Sequence, residues 1–259
     1  MRPELFEVFG YGVPAYMVGQ LLAILVVGGW LTRMQGRLKL PEDVGVDMTL
    51  LGFFAVFAGG RVEALRRSGS LFDVNLYELT LGGGGFAFFG VLVFCLLGSA
   101  LYARWHGRFV LDLWDAMAPV VPLGLIVYRV GCLLAGCCYG TPTELPWGLS
   151  YPESWRHHEV GVRVHPVPIY ELLGAAASFF MLRRLQGREH ARGDVMLAFL
   201  LLLAPLRFIS DVFRGDVVQR MAALGGLQLT YAQWWCLFFG SAALAAIVVR
   251  TVRRRRPTP

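Results

Sequence analysis

The sequence predicts an all-α polytopic membrane protein, with seven transmembrane helices carrying a small extracytoplasmic head. Three observations predict it. Of the 259 residues, 56% are hydrophobic and only 16% charged, and the mean hydropathy of +0.55 is too high for an ordinary soluble domain. Seven apolar runs approach the roughly 20 residues that a helix needs to cross a hydrocarbon core. Counted as seven spans, they also place every cluster of basic residues on one side, as expected of cytoplasmic helix ends.

The runs lie near 11–31, 48–66, 84–103, 112–134, 167–185, 195–213 and 231–250. The first has no small-x-small cleavage pattern after it and reads as a retained span rather than a removed signal peptide. Arg33, Arg37 and Lys39 follow it, Arg104 and Arg108 follow the third, and Arg183, Arg184, Arg188 and Arg192 follow the fifth. Arg250 and the run Arg253 to Arg256 close the seventh; that run suits an anchor to anionic headgroups. An even number of spans would put it opposite the Arg33 cluster. The N-terminus, the 68–82 connection and the 215–230 segment therefore face outward, and the C-terminus is cytoplasmic. The whole chain, 1–259, reads as one transmembrane domain. Within it, 136–166 is too polar to span and too long for a turn. Its Tyr139, Trp147, Tyr151 and Trp155 suit a head resting at the interface, where amphipathic rings prefer to sit.

Several function classes recede. The formal charge of +6 is distributed as helix-end clusters, so nucleic acid is not the expected partner. No internal repeat marks a repeat-built transporter. The cysteines Cys95, Cys132, Cys137, Cys138 and Cys236 lack paired C-x-x-C spacing, which argues against a structural zinc site. No metal and no cofactor is expected. Outward-facing Cys132 could form a disulfide with Cys137 or Cys138, whereas those adjacent two would bond each other only with strain.

Ionisable groups within membrane helices are costly and usually face a partner or a wet cavity. Arg61, Arg129, Arg207, Asp211 and Arg214 are such groups. Arg207, Asp211 and Arg214 stand at i, i+4 and i+7, along one face if the sixth helix continues through them. They form either a self-neutralising triad or part of an anion site. Arg129 needs an anion too, and Asp211 alone cannot satisfy three guanidiniums. Arginine suits bidentate recognition of phosphate, so an anionic phospholipid head is the expected ligand. Gly131, Gly136 and Gly140 permit tight turns or close approach to that ligand, or serve as plain packing. His165, just before Pro166 and a helix bearing Tyr170 and Glu171, is either a structural cap or a site residue; His157 and His158 read as solvated surface.

The pattern Arg129-x-Gly131-x5-Gly136-x3-Gly140, then Leu145-Pro146-Trp147-Gly148, Tyr151-Pro152 and His165-Pro166-x3-Tyr170-Glu171, resembles the prolipoprotein diacylglyceryl transferase family. Tyr11-Gly12, Gly60-Arg61, Gly84-Gly85, Asp115, Arg207-Phe208-Ile209 with Arg214, and Gln233 fall in the family's order, so the likeness covers nearly the whole chain. It implies a bacterial inner-membrane enzyme that transfers the diacylglyceryl group of phosphatidylglycerol to the lipobox cysteine thiol of a prolipoprotein, releasing glycerol phosphate. Its essential arginines match Arg129 and Arg207, which with His165 are the catalytic candidates. Tyr11, Arg61, Gly131, Gly140, Tyr170, Glu171, Asp211, Arg214 and Gln233 are the substrate-binding candidates.

The chain departs from the resembled pattern at three positions. Phe89 stands where the family usually has a histidine assigned to proton handling or substrate positioning, Cys132 where it frequently has asparagine, and Leu203 where it has a tyrosine. Proton removal from the acceptor thiol then falls to His165, Tyr11, Glu171 or the leaving phosphate. Two alternatives follow: a paralogue that transfers a phosphatidylglycerol-derived group to a different acceptor, or a non-catalytic binder of anionic phospholipid.

Overall fold

The computed structural model describes residues 4–8, 11–60, 88–107, 110–151, 161–215, 220–222 and 228–255. Each of the seven apolar runs is helical over most of its described length. The helices are α1 (Ala15–Met34), α2 (Val44–Phe54, continued by a π-helical segment Ala55–Gly60), α3 (Phe88–Trp105), α4 (Val110–Met117), α5 (Val120–Ala135), α6 (Val167–Gln186), α7 (Asp194–Val212) and α8 (Tyr231–Arg255). By length and apolarity three of them, α1, α7 and α8, are candidate membrane spans, and there are four if the bent pair α4 and α5 counts as one. The chain is a mostly helical membrane protein.

Two differences from the sequence reading have local causes. Described residues also form three two-stranded antiparallel sheets: β1 (Glu4–Val8) with β2 (Tyr11–Pro14), β3 (Leu149–Ser150) with β4 (Arg163–Val164), and β5 (Arg220–Ala222) with β6 (Gln228–Thr230). The architecture is therefore not purely helical. The first run begins as strand, because Pro14 ends β2 and helix starts only at Ala15; proline restricts its predecessor to extended backbone. The fourth run is broken ahead of Pro119, which caps α5 at its N-terminus, since proline cannot donate to a continuing helix ladder.

The chain divides into two compact units, 24–117 and a second formed by 1–23 with 118–259. In the first, α3 packs on α2 and its π-helical extension. Phe54 meets Phe94 with ring centroids 6.3 Å apart, and Trp114 Nε1 on α4 donates to Ser99 Oγ on α3 at 3.0 Å. A side chain at Gly98 would strike Leu51, so small residues set the approach of these helices, as is common within bilayers.

In the second unit α5 packs on α6, α6 on α7 and α7 on α8. Its burial pattern differs from a soluble protein's, although Val167, Leu182, Val195 and Phe199 are buried as well. Leu173, Phe180, Met181, Ile209 and Phe238 point outward, while Arg129, Glu171, Ser178, Arg207, Ser210, Asp211 and Gln233 are buried. Polar groups inside and large apolar groups outside is the distribution that a lipid solvent requires. The start of α7 and the end of α8 are joined by Arg250 Nη1 to Asp194 Oδ1 at 2.9 Å.

Helix ends in this unit are set by local chemistry. Gly136, in left-handed backbone at φ 66°, terminates α5 and turns the Cys137 amide onto the Cys132 carbonyl at 3.2 Å, the usual glycine C-cap. Thr230 and Gln233 form a capping box at the start of α8. The Gln233 amide donates to Thr230 Oγ1 at 3.1 Å and the Thr230 amide to Gln233 Oε1 at 3.0 Å, satisfying two amides that the helix leaves unpaired.

Candidate functional site

Residues from three helices, and Thr230 at the end of β6 just ahead of α8, meet in one buried polar chain. Glu171, in the first turns of α6, lies between two arginines: its Oε2 is 2.6 Å from Arg129 Nε on α5, and its Oε1 accepts from Arg207 Nη1 on α7. Ser210 Oγ also donates to Oε1, at 2.8 Å. On its other side Arg207 Nη2 reaches Asp211 Oδ1, one helical turn on, at 3.2 Å. The second Asp211 oxygen accepts from the Thr230 hydroxyl at the start of α8. The order is Thr230, Asp211, Arg207, Glu171, Arg129, and every member is less than a tenth exposed.

Charges so deeply buried are tolerable only when paired and hydrogen-bonded. One donor in the chain stays unsatisfied: Arg207 Nε is buried with no hydrogen-bond acceptor among the described residues. An orphaned donor of this kind costs about 1–3 kcal/mol, which an anionic oxygen placed against it would recover.

Arg129 also faces a second group. Its Nη1 lies 3.7 Å from Cys132 Sγ and 3.5 Å from Cys138 Sγ, and Arg214 Nη2 approaches Cys138 Sγ at 3.8 Å. The Sγ atoms of Cys132, Cys137 and Cys138 all lie within 4.8 Å of one another. Hydrogen bonds from the Cys132 and Cys137 thiols, reinforced by the Arg214 and Arg129 guanidiniums, hold the Cys138 thiol well below the ordinary thiol range despite burial. Hydrogen bonding with Cys132 and Cys138, together with burial, pushes the Cys137 thiol up. Spacing rules written for paired C-x-x-C motifs miss this convergence, because the turn at Gly136, not a regular interval, folds Cys137 and Cys138 back over Cys132.

A third group lies at the mouth of α6. Tyr170 OH accepts from Trp147 Nε1 at 2.9 Å and sits 3.2 Å from His165 Nδ1, and the His165 ring packs on Phe213 at 5.0 Å between centroids. No side-chain cap from His165 closes the start of α6, where Pro166 is the cap residue. The backbone of His165 has a definite structural part: its carbonyl accepts the Gly140 amide at 2.9 Å and its amide donates to Thr141 at 3.0 Å. Next to it the Thr141 amide donates to Phe213 at 2.8 Å and the Gly215 amide to Tyr139 at 3.1 Å. These bonds tie residues 139–141 to His165 and to the residues that follow α7.

Of the sequence candidates, then, Arg129, Glu171, Arg207 and Asp211 share one network, with Arg214 reaching it through Cys138. The expected helical face through Arg214 is corrected: α7 ends at Val212, and Arg214 instead pairs in an isolated bridge with Gly140. The glycines approach backbone. A Cβ at Gly140 would lie 2.4 Å from His165 Cβ and 2.9 Å from the Phe213 carbonyl, and one at Gly131 would lie 2.9 Å from the Ala15 carbonyl of α1. Gln233 serves the capping box. Tyr11 begins β2 opposite Val8. Arg61 lies outside the described residues, as do Trp155, His157, His158 and the 68–82 connection, while Phe89 is the second residue of α3. Ser210 and Thr230 were missed; the T-x-x-Q signature at 230–233 was the available signal for Thr230.

Comparison with known proteins identifies the family. The family model described as prolipoprotein diacylglyceryl transferase matches residues 3–249. A phosphatidylglycerol–prolipoprotein diacylglyceryl transferase of Chromohalobacter salexigens is 32% identical over 97% of this chain and 90% of its own length. That of Idiomarina loihiensis is 30% identical over 99% and 95%, and that of Clostridium tetani 28% identical over 83% and 86%. With a family match across almost its entire length and its arginines gathered on a single buried carboxylate, the chain belongs to the prolipoprotein diacylglyceryl transferase family.

Proposed function

We propose that this chain is a seven-span bacterial inner-membrane enzyme that transfers the diacylglyceryl group of phosphatidylglycerol to the lipobox cysteine thiol of a prolipoprotein, with glycerol phosphate as the leaving group. The observation that carries the reading is the pair Arg129 and Arg207, both turned onto Glu171, in a chain that matches the family over residues 3–249. The N-terminus and the 136–166 head face outward and the C-terminus is cytoplasmic, a topology that the basic clusters support. The 1–259 chain is then one transmembrane domain with the head inside it.

Breaking the carbon–oxygen bond converts a phosphodiester monoanion into a phosphate monoester of greater charge. Guanidiniums aimed at that phosphate bind the transition state more strongly than the substrate, which is what accelerates a reaction. Glu171 holds the two guanidiniums in fixed orientation, Asp211 and Thr230 hold Arg207 from behind, and the buried Arg207 Nε is the donor left for a phosphate oxygen. Arg214 supports the same anion from the head side. Tyr170, Trp147 and His165 line the approach to α6, with Tyr11, Arg61 and Gln233 as further substrate contacts, and Gly131 and Gly140 let the backbone close around the site.

The test is incubation of the purified protein with labelled phosphatidylglycerol and a lipobox peptide. Thioether product is expected, together with rescue of a strain depleted of its own transferase by wild type but not by Arg129→Ala. No product, where a family reference enzyme works, would sink the assignment. A second reading, transfer to a different acceptor, is favoured by Phe89 at the position where the family carries histidine. It predicts a changed cellular lipid with unaltered lipoproteins.

A further inference from the structure

We propose that Cys132, Cys137 and Cys138 form a three-thiolate site for a thiophilic d10 cation, Zn²⁺ by its chemistry, whose open fourth position takes the acceptor cysteine of the substrate. The inference rests on the transferase reading for its acceptor, but the metal site stands on geometry alone.

Four features of the structure converge on it. The three Sγ atoms lie within 4.8 Å of one another; tetrahedral zinc with bonds of about 2.3 Å to sulfur needs them about 3.8 Å apart, a small contraction. All five cysteines are free thiols. Cys132 and Cys137 are buried in an apolar cluster with Ala15 and Ala135, walled by Tyr16 and Tyr128, so water is excluded from the inner side. Cys138 adopts left-handed backbone at φ 59°, a conformation costly for a residue with a side chain and retained where surroundings impose it, often at functional sites.

The charges also fit. Three thiolates on a dication leave one net negative charge, and Arg129 Nη1 and Arg214 Nη2 direct N–H groups at the sulfurs from 3.5 to 3.8 Å, the outer-shell support that metal-bound ligands usually have. A site with three protein ligands keeps a position for substrate, unlike the closed four-ligand structural sites. Soft sulfur donors select zinc or Cu(I) over hard cations.

The site would do the work of the absent histidine. A thiol that coordinates such a metal is deprotonated outright. On binding, the acceptor R–SH gives its proton to water and its sulfur to the metal. The resulting thiolate attacks the glyceryl carbon of phosphatidylglycerol; the S–C bond forms, the C–O bond breaks, and its electron pair leaves with glycerol phosphate. Arg129 spans both halves of the step, touching the sulfurs through Nη1 and Glu171 through Nε at 2.6 Å, so nucleophile and leaving group meet at one side chain.

The experiment uses the full chain purified anaerobically in detergent with Zn²⁺ supplied. One zinc per chain is expected by mass spectrometry, lost in Cys137→Ser and in Cys132→Ser. Because those variants can misfold, the wild-type protein is also loaded with Co²⁺. Its sulfur-to-cobalt charge-transfer absorption should change when a lipobox peptide is added and stay unchanged with the serine version of that peptide. Stripping the metal should slow transfer at pH 7 about 30-fold, the factor set by the few per cent of free thiol with pKa about 8.5 that is ionised there, and Zn²⁺ should restore it. Absence of bound zinc, a Cys132 disulfide in the protein from membranes, a cobalt spectrum indifferent to the cysteine peptide, or full activity after chelation would each overturn the proposal. Zinc and peptide binding with no transfer would uphold the site and overturn the transferase reading instead.

Discussion

The carboxylate–arginine chain and the thiol cluster touch through one residue, Arg129, and are built in opposite ways. The first is assembled from α5, α6, α7 and the start of α8, through partners such as Ser210 and Glu171 that are 39 positions apart in sequence. The second comes from a seven-residue stretch, folded on itself by a single left-handed glycine. The long-range chain therefore depends on helix packing. The local cluster depends on one turn, and so can be altered with less effect on the rest of the fold.

Arg129→Ala gives the largest expected effect because it strikes both regions. Glu171 loses one counter-charge and the sulfurs lose one of their two guanidinium donors. By analogy with removal of an oxyanion donor, transfer should fall about 10²- to 10³-fold, measured as thioether product. Arg207→Lys sharpens the comparison on the long-range side only. It keeps the charge, but an ammonium cannot span Glu171 and Asp211 as the planar fork does. Its rate should fall between those of wild type and Arg207→Ala, while metal content stays at the wild-type level.

Gly140→Ala probes the joint between residues 139–141 and the end of α7. The added Cβ would meet His165 and the Phe213 carbonyl within 3 Å, and both are held by backbone hydrogen bonds. Overpacking of this kind costs about 1–3 kcal/mol, readable as a lower unfolding midpoint in detergent. A midpoint equal to wild type would mean that the joint gives way easily and that Gly140 is needed for substrate instead.

What the sequence made legible follows the same division. The apolar runs identified the helices to within a few residues because hydrophobic length is a property of the chain alone. The arginines stood out because charge in an apolar run is costly wherever its partner lies. Glu171 was named, yet its place between two arginines was not legible: pairing across helices is fixed by their rotation and depth, which composition does not encode. Arg214 was misassigned to the helical face because nothing in Val212-Phe213-Arg214 announces that α7 stops there. Its end is set by tertiary bonds to 139–141, and such bonds are invisible to a periodicity argument. The thiols were all in view, but their convergence depends on the Gly136 turn and not on their spacing.

The smallest expected effect separates support from contact. Thr230 donates to Asp211 and caps α8 with Gln233, so it acts on Arg207 at one remove. Thr230→Val keeps the shape but removes both bonds. A lost helix cap costs about 0.5–2 kcal/mol, so a modest fall in thermal stability is expected. Freed of the hydroxyl, Asp211 holds Arg207 less firmly, and the turnover rate should drop while affinity for the lipobox peptide stays unchanged, since the peptide meets the other region. Thr230→Ser retains both bonds and should behave as wild type. Were Thr230→Val instead to weaken peptide binding with turnover intact, the start of α8 would belong with the acceptor site, and the division between the two regions would have to be redrawn.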